Sequence, residues 1–484
     1  MGDTPPKVKP QKKGKPEPRV ALERDHKLDK NYPFEFGYAW APAVIDDFPF
    51  MEVSVRDTST LGITEKSKTI NGALYYQKTM LGRAITFNGL RGSLTAVGVK
   101  KEDIHHIGRQ FIETSHFALY NAMDVGHNSK RGKEIRDDVR ARTYVLQDSG
   151  GFQLVSGRED FIDPKMLAVK HSLYADSGVS LDLPVSGITD KKFALIAAKM
   201  LIANSKVLRD NMDKRARLMN VCHGATLEIR SAFLDQITKE PMQSLCIAGL
   251  RKSAVGVEKG FDRTTPLAFA SHILLAMLKT ERTYKHYHVL GVATPWQMAI
   301  ISLIANLHQK IVTSDSASHN LSGLGGLLID YANETSHSLE GRLVKRKNKA
   351  YCSCPMCYIF QDYPWYKIGP SWAPSVHNGF ALLRYARLFD HLAKLALHDK
   401  LESGAISGLM LQNIEALPPT ISQSFRKAVH LILQTTKIAQ LKEMPMDARN
   451  VGLFGGAPQG SDKVSDRYIK IVKTYQDYHG QKWL

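Results

Sequence analysis

The chain has 484 residues, 43% hydrophobic and 23% charged, a composition typical of globular proteins. No apolar run reaches the about 18 residues that a membrane-spanning helix needs, so a membrane span is not expected. Lys and Arg outnumber Asp and Glu by 65 to 47, for a formal charge of +18, which points to a polyanionic partner such as nucleic acid; charge alone is equally compatible with a role in solubility.

Residues 1–30, opening MGDTPPKVKPQKKGKPEPR, have no apolar signal-peptide core and are expected to form a disordered basic arm. Of the five cysteines, three fall within the stretch 352–357, a spacing suited to metal and not to a disulfide framework. A reducing, cytoplasmic compartment is therefore expected. Residues 31–140 mix short apolar runs such as RAITFNGL with helix-like stretches.

From Tyr144 the pattern becomes rhythmic, with a short β-rich run, a polar turn and an amphipathic helix following one another repeatedly. Strand ends are expected at YVLQD, VSLDL, LMNVCH, LCIAG, YHVLG and KIVTSD, separated by helices such as KKFALIAAKMLIANSKVLRDNM and PWQMAIISLIANL. Six βα units in a row favour a parallel sheet. A (β/α)8 TIM barrel would draw its other two strands from before residue 144 and gather its chemistry at the C-terminal strand ends. The expected organisation is a barrel with an N-terminal elaboration over 31–340, a zinc-binding subdomain and closing helix over 341–400, and a helical extension over 401–484. The basic run at 342–349, RLVKRKNK, reads as a solvated loop able to touch phosphate. The later helices FALLRYARLFDHLAKLALHDKL and SQSFRKAVHLILQTTKIAQL are assigned packing and no chemistry.

The sharpest motif is Gln147-Asp148-Ser149-Gly150-Gly151-Phe152-Gln153. Its glycines permit a tight turn against a flat ligand, and Phe152 offers a face on which a base can stack. Further acids stand at Asp182 and Asp315. Cleaving an N-glycosidic bond calls for such a set, one carboxylate attacking the sugar carbon and another managing the proton of the departing base. A single aspartate after a strand commonly caps the next helix, but three in matching positions favour chemistry. Cys352, Cys354 and Cys357 followed by His377 form a Cys3His set suited to structural zinc, with His391 as a competing ligand; Cys222 and Cys246 read as small buried hydrophobes.

DSGGFQ after a strand, an acid one unit later, AGL, GVATP, a late Asp, and CxCxxC followed by HN together resemble the queuine/archaeosine tRNA-guanine transglycosylases over roughly residues 95–400. That family is a zinc-bearing (β/α)8 barrel. The resemblance implies that Asp315 is the nucleophile and Asp148 the general acid/base that also reads the base. It further implies that Asp182 holds the guanine edge, Phe152 stacks, and the backbone of Gly249 and Leu250 binds the heterocycle. The His377-Asn378 pair favours His377 as the fourth zinc ligand.

The chain departs from the tRNA-acting pattern in places. His223 stands before Gly224 where those enzymes carry a base-reading glutamine, although His223 also reads as a packing residue. The segment SASHNLSGLGGLL after Asp315 lacks the arginines that grip an anticodon, and no compact β-rich RNA-binding module follows. These losses resemble the DpdA-like DNA 7-deazaguanine transglycosylases of phages and bacterial modification islands. The expected activity is exchange of guanine in DNA for a 7-deazaguanine such as preQ0, with a helper protein as a possible partner. The alternatives are a tRNA-guanine transglycosylase acting on tRNA and a non-catalytic nucleic-acid-binding subunit.

Overall fold

The computed structural model describes residues 36–44, 117–124, 132, 135–136, 140, 144–240, 242–250, 266–292, 294–316, 327–330, 335–338, 372–398, 419–438, 441 and 464–484. The expected basic arm, the 342–349 run and the three clustered cysteines lie outside them.

Eight parallel strands form a closed barrel in chain order: β1 (Gly37–Val44), β2 (Phe117–Asn121), β3 (Tyr144–Asp148), β4 (Ser177–Val179), β5 (Arg217–Cys222), β6 (Ser244–Ile247), β7 (His286–Val289) and β8 (Ile311–Ser316). The ring closes where β1 pairs with β8, from Gly37 against Ile311 to Pro42 against Ser316. The two strands expected before residue 144 are β1 and β2. One strand end differs from expectation: β4 stops at Val179, so Asp182 sits in the loop beyond it and not within the strand.

The strands carry almost no exposed residues, as in parallel sheets covered on the outside by helices. Those helices are the short α1 (Gly151–Ser156) and α2 (Pro164–Tyr174), α3 (Lys191–Asn211), α4 (Leu227–Ile237), α5 (Pro266–Thr280) and α6 (Pro295–Leu307). Side-chain caps fix where several begin: Asp163 accepts from the Lys165 N–H, Asp190 from Phe193 and Thr226 from Ile229.

Between β8 and the next described helix lies a two-stranded antiparallel sheet of β9 (Leu327–Asp330) and β10 (Thr335–Ser338). The long α7 (Trp372–His398) then takes the eighth helical position. Asp390 on α7 fixes it to the seam of the barrel, its Oδ1 accepting from the Tyr38 N–H at 2.8 Å and from Asn306 Nδ2 at 2.9 Å. Helix α8 (Pro419–Gln434) packs on α5 and α6, and α9 (Asp466–His479) on α1 and α3. Among the described residues no helix is long and apolar enough to cross a membrane.

The base of β3 is held by a buried ion pair. Arg140 Nε lies 2.9 Å from Asp176 Oδ1, while Asp176 Oδ2 accepts from the Val145 N–H at 2.8 Å. Asp176→Ala strands a buried guanidinium, and unfolding stability measured in urea is expected to drop by about 3–5 kcal/mol.

Burial also holds the His171 imidazole down to about 4 and those of His272 and His286 well below their usual range. Because these groups take up protons in the unfolded chain near 6.5 but not in the folded one, their contribution is complete above that pH and is lost as pH falls toward 4. Urea midpoints should therefore decline steadily from pH 7 to pH 5.

Candidate active site

All strands of a parallel barrel point the same way, so their C-terminal ends share one rim. Asp148 ends β3, Asp182 follows β4, His223 follows β5, Gly249 and Leu250 follow β6, and Asp315 lies near the end of β8. Cys246, buried on β6, senses their convergence: its thiol is pushed far up, first by burial and then by the charges of Asp148, Asp182 and Asp315. Neither Asp148 nor Asp182 caps the described helix that follows it, since Gly150 caps α1 and Asp190 caps α3.

Asp148 sits opposite Asn121 across the β2–β3 ladder. Asn121 Nδ2 donates to Asp148 Oδ2 at 3.1 Å, and the Ser149 N–H donates to Oδ1 at 2.9 Å. The chain then turns through Gly150 at φ 88° into α1. A side chain on Gly151 would collide with Asp182 Oδ1 and with the Asp182 carbonyl oxygen, so the two loops can pack this closely only with glycine here. Phe152, in the first turn of α1 and next in sequence to Gly151, is 43% exposed. An exposed aromatic ring is what a stacking platform requires.

Asp182 is 6% exposed and doubly engaged, accepting from Ser149 Oγ at 3.3 Å through Oδ1 while Oδ2 lies 2.7 Å from His223 Nε2. The other His223 nitrogen, Nδ1, is 2.8 Å from Ser186 Oγ. His223 thus packs and at the same time links Asp182 to Ser186. Gly249, at φ 78°, passes so close to Ser186 that a Cβ would overlap its side chain.

Asp315 is 8% exposed. Its Oδ1 accepts from the Gly291 N–H at 2.7 Å and lies 3.2 Å from His288 Nε2. Oδ2 has no hydrogen-bond partner among the described residues. One oxygen is thereby tethered and the other left available, which suits a nucleophile.

Arg230 supports this rim from below. Fully buried, it donates through Nη2 to the carbonyls of Ala248 at 2.7 Å and Gly224 at 3.4 Å, and through Nε to His272 Nδ1 at 2.8 Å. It ties the turn after β5 to the strip after β6.

His377 is buried in α7 and His391, on the same helix, is exposed. Fourteen residues of helix separate them by roughly 21 Å, so one metal cannot use both. Among the described residues no cluster of three or more metal-ligating side chains occurs, and Cys352, Cys354 and Cys357 lie outside them.

The residues missed from sequence are Asn121, Ser149, Ser186, Arg230, His288 and Thr313. Ser149 stood inside the DSGGFQ motif and His288 inside the YHVLG strand end, so position relative to a strand end was a signal for both. Ser186 and Arg230 carried none. Scanning the chain against protein-family models gives no match, and no curated protein matches it significantly.

Gly249→Ala combines a positive φ with a clash on Ser186. It is expected to cost more than about 1 kcal/mol in a urea titration, because alanine resists that backbone region. A crystal structure of the variant should show Ser186 displaced from His223.

Proposed function

We propose that this protein is a base-exchange enzyme of the tRNA-guanine transglycosylase type that replaces guanine in DNA with a 7-deazaguanine such as preQ0. The observation that carries this reading is the meeting of three carboxylates at one barrel rim around Cys246, one of them tethered through a single oxygen, beside an exposed phenylalanine. Hydrolysis or exchange at a glycosidic carbon needs that division of labour between carboxylates.

In this mechanism a target guanosine leaves the stack and rests against Phe152. Asp315 Oδ2 attacks C1′, and the C1′–N9 bond breaks with its electron pair passing to guanine, which takes a proton from Asp148. The N9 of the incoming 7-deazaguanine then attacks C1′, expels the Asp315 carboxylate and returns its N9 proton to Asp148. Atoms and charge balance without a redox cofactor or ATP. Asp182, with His223, contacts the heterocycle edge, and the backbone of Gly249 and Leu250 lines its other side.

Zinc, held by Cys352, Cys354, Cys357 and His377, would be structural in this reading, and three thiolates with one imidazole make a closed tetrahedral set. The burial of His377 suits such a ligand. DNA is preferred to tRNA because the segment following Asp315 carries no arginines in SASHNLSGLGGLL and because His223 stands in the glutamine position. The excess of 18 positive charges supports a polyanionic substrate of either kind.

The test is incorporation of labelled preQ0 by the purified protein, with double-stranded DNA and bulk tRNA offered in parallel. Label is expected in DNA and not with Asp315→Ala. Label in tRNA alone would replace DNA by tRNA as substrate, and label with Asp315→Ala would overturn the nucleophile assignment.

Elemental analysis should find about one zinc per chain, lost in Cys354→Ser together with thermal stability. A stable wild type without zinc would overturn the metal assignment.

A further inference from the structure

Beneath the candidate nucleophile, β7 and β8 carry a chain of buried polar side chains that the mechanism above does not use. His286 Nε2 and His288 Nδ1 each lie 2.8 Å from Thr313 Oγ1. The remaining nitrogen of His288, Nε2, approaches Asp315 Oδ1 to 3.2 Å. That approach is close enough for an ion pair but off the line of a good hydrogen bond. His286, His288 and Thr313 have no exposed surface. Thr313 and Asp315 stand two apart on β8 and therefore share a face of the sheet.

The supply of protons selects one arrangement. Thr313 has a single hydroxyl proton and two lone pairs. If that proton went to the Tyr287 carbonyl, 3.4 Å away, both imidazoles would have to donate to Oγ1. A neutral His288 would then hold its proton on Nδ1 and turn a bare lone pair toward a carboxylate, which is repulsive.

For a neutral His288 the arrangement without conflict runs in one direction. His286 Nε2–H donates to Thr313 Oγ1, Thr313 donates to His288 Nδ1, and His288 Nε2–H faces Asp315 Oδ1. Burial keeps His286 neutral, consistent with a single N–H there.

We propose that His288 is a positioning residue for Asp315: with the Gly291 N–H it holds Oδ1 and so leaves Oδ2 facing the sugar carbon, while Thr313 sets the His288 tautomer from behind. The role of a second-layer residue that fixes an imidazole by hydrogen-bonding its other nitrogen is well grounded in histidine chemistry. The proposal rests on the base-exchange reading for its kinetic consequence but not for its geometry, and the two are separable by experiment.

The kinetic arm compares labelled preQ0 incorporation by the wild type, His288→Leu, His288→Gln and Thr313→Val. Displacing a reacting group by about 1 Å costs on the order of 100-fold in rate, and a kcat loss of that size is expected for His288→Leu. The KM for preQ0 and the affinity for DNA should stay within about two-fold, because binding contacts are untouched. His288→Gln retains an N–H donor and should recover at least about a tenth of the wild-type kcat by the same reasoning. Thr313→Val, which does not touch Asp315, should lose about tenfold through the freed tautomer. Equal kcat in wild type and His288→Leu, or identical losses in Leu and Gln with KM rising in step, would overturn the proposal.

The second arm uses imidazole 15N spectra of the histidine-labelled wild type, with the His288 signals assigned by their absence in His288→Gln. A proton on Nε2 is expected, and a His288 protonated on Nδ1 alone would overturn the tether whether or not the protein turns over. If the spectra show Nε2–H while no nucleic acid accepts preQ0, the tether stands and the base-exchange reading falls.

Discussion

Closure of the parallel ring is the constraint on which everything else in this protein depends. Pairing of β1 with β8 joins residues 37–42 to residues 311–316, and from that register all eight strand ends must lie on one rim. Asp148, Asp182 and Asp315 are separated by long stretches of sequence, and no local propensity could bring them together. Parallel strands do so as a by-product of satisfying their backbone hydrogen bonds with both neighbours. The cost of gathering three acids around Cys246, Asp182 and Asp315 buried and Asp148 half-buried, is tolerated because each accepts hydrogen bonds or faces an imidazole. Removing a donor from that group exposes the repulsion among the remaining charges.

The rim is shaped by loops held from two sides. Arg230 works inside, spending its donors on carbonyls after β5 and β6 and on His272, so that His223 and Gly249 are set by one guanidinium. Helix α9 works outside. Arg467 donates to the carbonyls of Leu154 and Glu159, Tyr475 Oη both accepts from the Ile162 N–H and donates to the Ile162 carbonyl, and Tyr468 Oη donates to the Pro184 carbonyl. These contacts pin the loops that follow Phe152 and Asp182. The C-terminal extension, which its sequence presents as packing alone, therefore bears on how the two loops of the candidate site stand relative to each other.

Much of the fold was legible because its period is short. Buried parallel strands read as apolar runs of four to six residues followed by a polar turn, and the strand positions after residue 144 follow that pattern. The exception at β4 is instructive: VSLDL looks like a strand, but the ladder ends at Val179 and the following apolar residues are buried in a loop instead. The positions of Asp148, Asp182 and Asp315 were legible as polar residues at or near strand ends. Their partners were not, because cross-strand pairing decides them. His288 meets Thr313, and His223 meets Asp182, across gaps of 25 and 41 residues, and a one-residue change in strand register would separate them. The contacts of Tyr475 with Ile162 span 313 residues, far outside any sequence window.

The pairing of Asp182 with His223 bears directly on what this site can recognise. A carboxylate that reads a guanine edge needs acceptor capacity directed at the ligand, yet here Oδ2 is 2.7 Å from an imidazole and Oδ1 faces Ser149. A carboxylate oxygen carries two acceptor positions, so each can serve a protein donor and a ligand donor together. On the base-exchange reading His223 then restricts the directions from which the base can approach, and Ser186 restricts His223 in turn. A flexible glutamine amide would impose no such chain. The imidazole is wider and stiffer, has no carbonyl acceptor, and has both nitrogens engaged by Asp182 and Ser186, so on the base-exchange reading a base entering this rim meets a narrower wall to which His223 adds no free donor. On the base-exchange reading, that wall and the exposed Phe152, more than the three aspartates, decide which heterocycle is accepted.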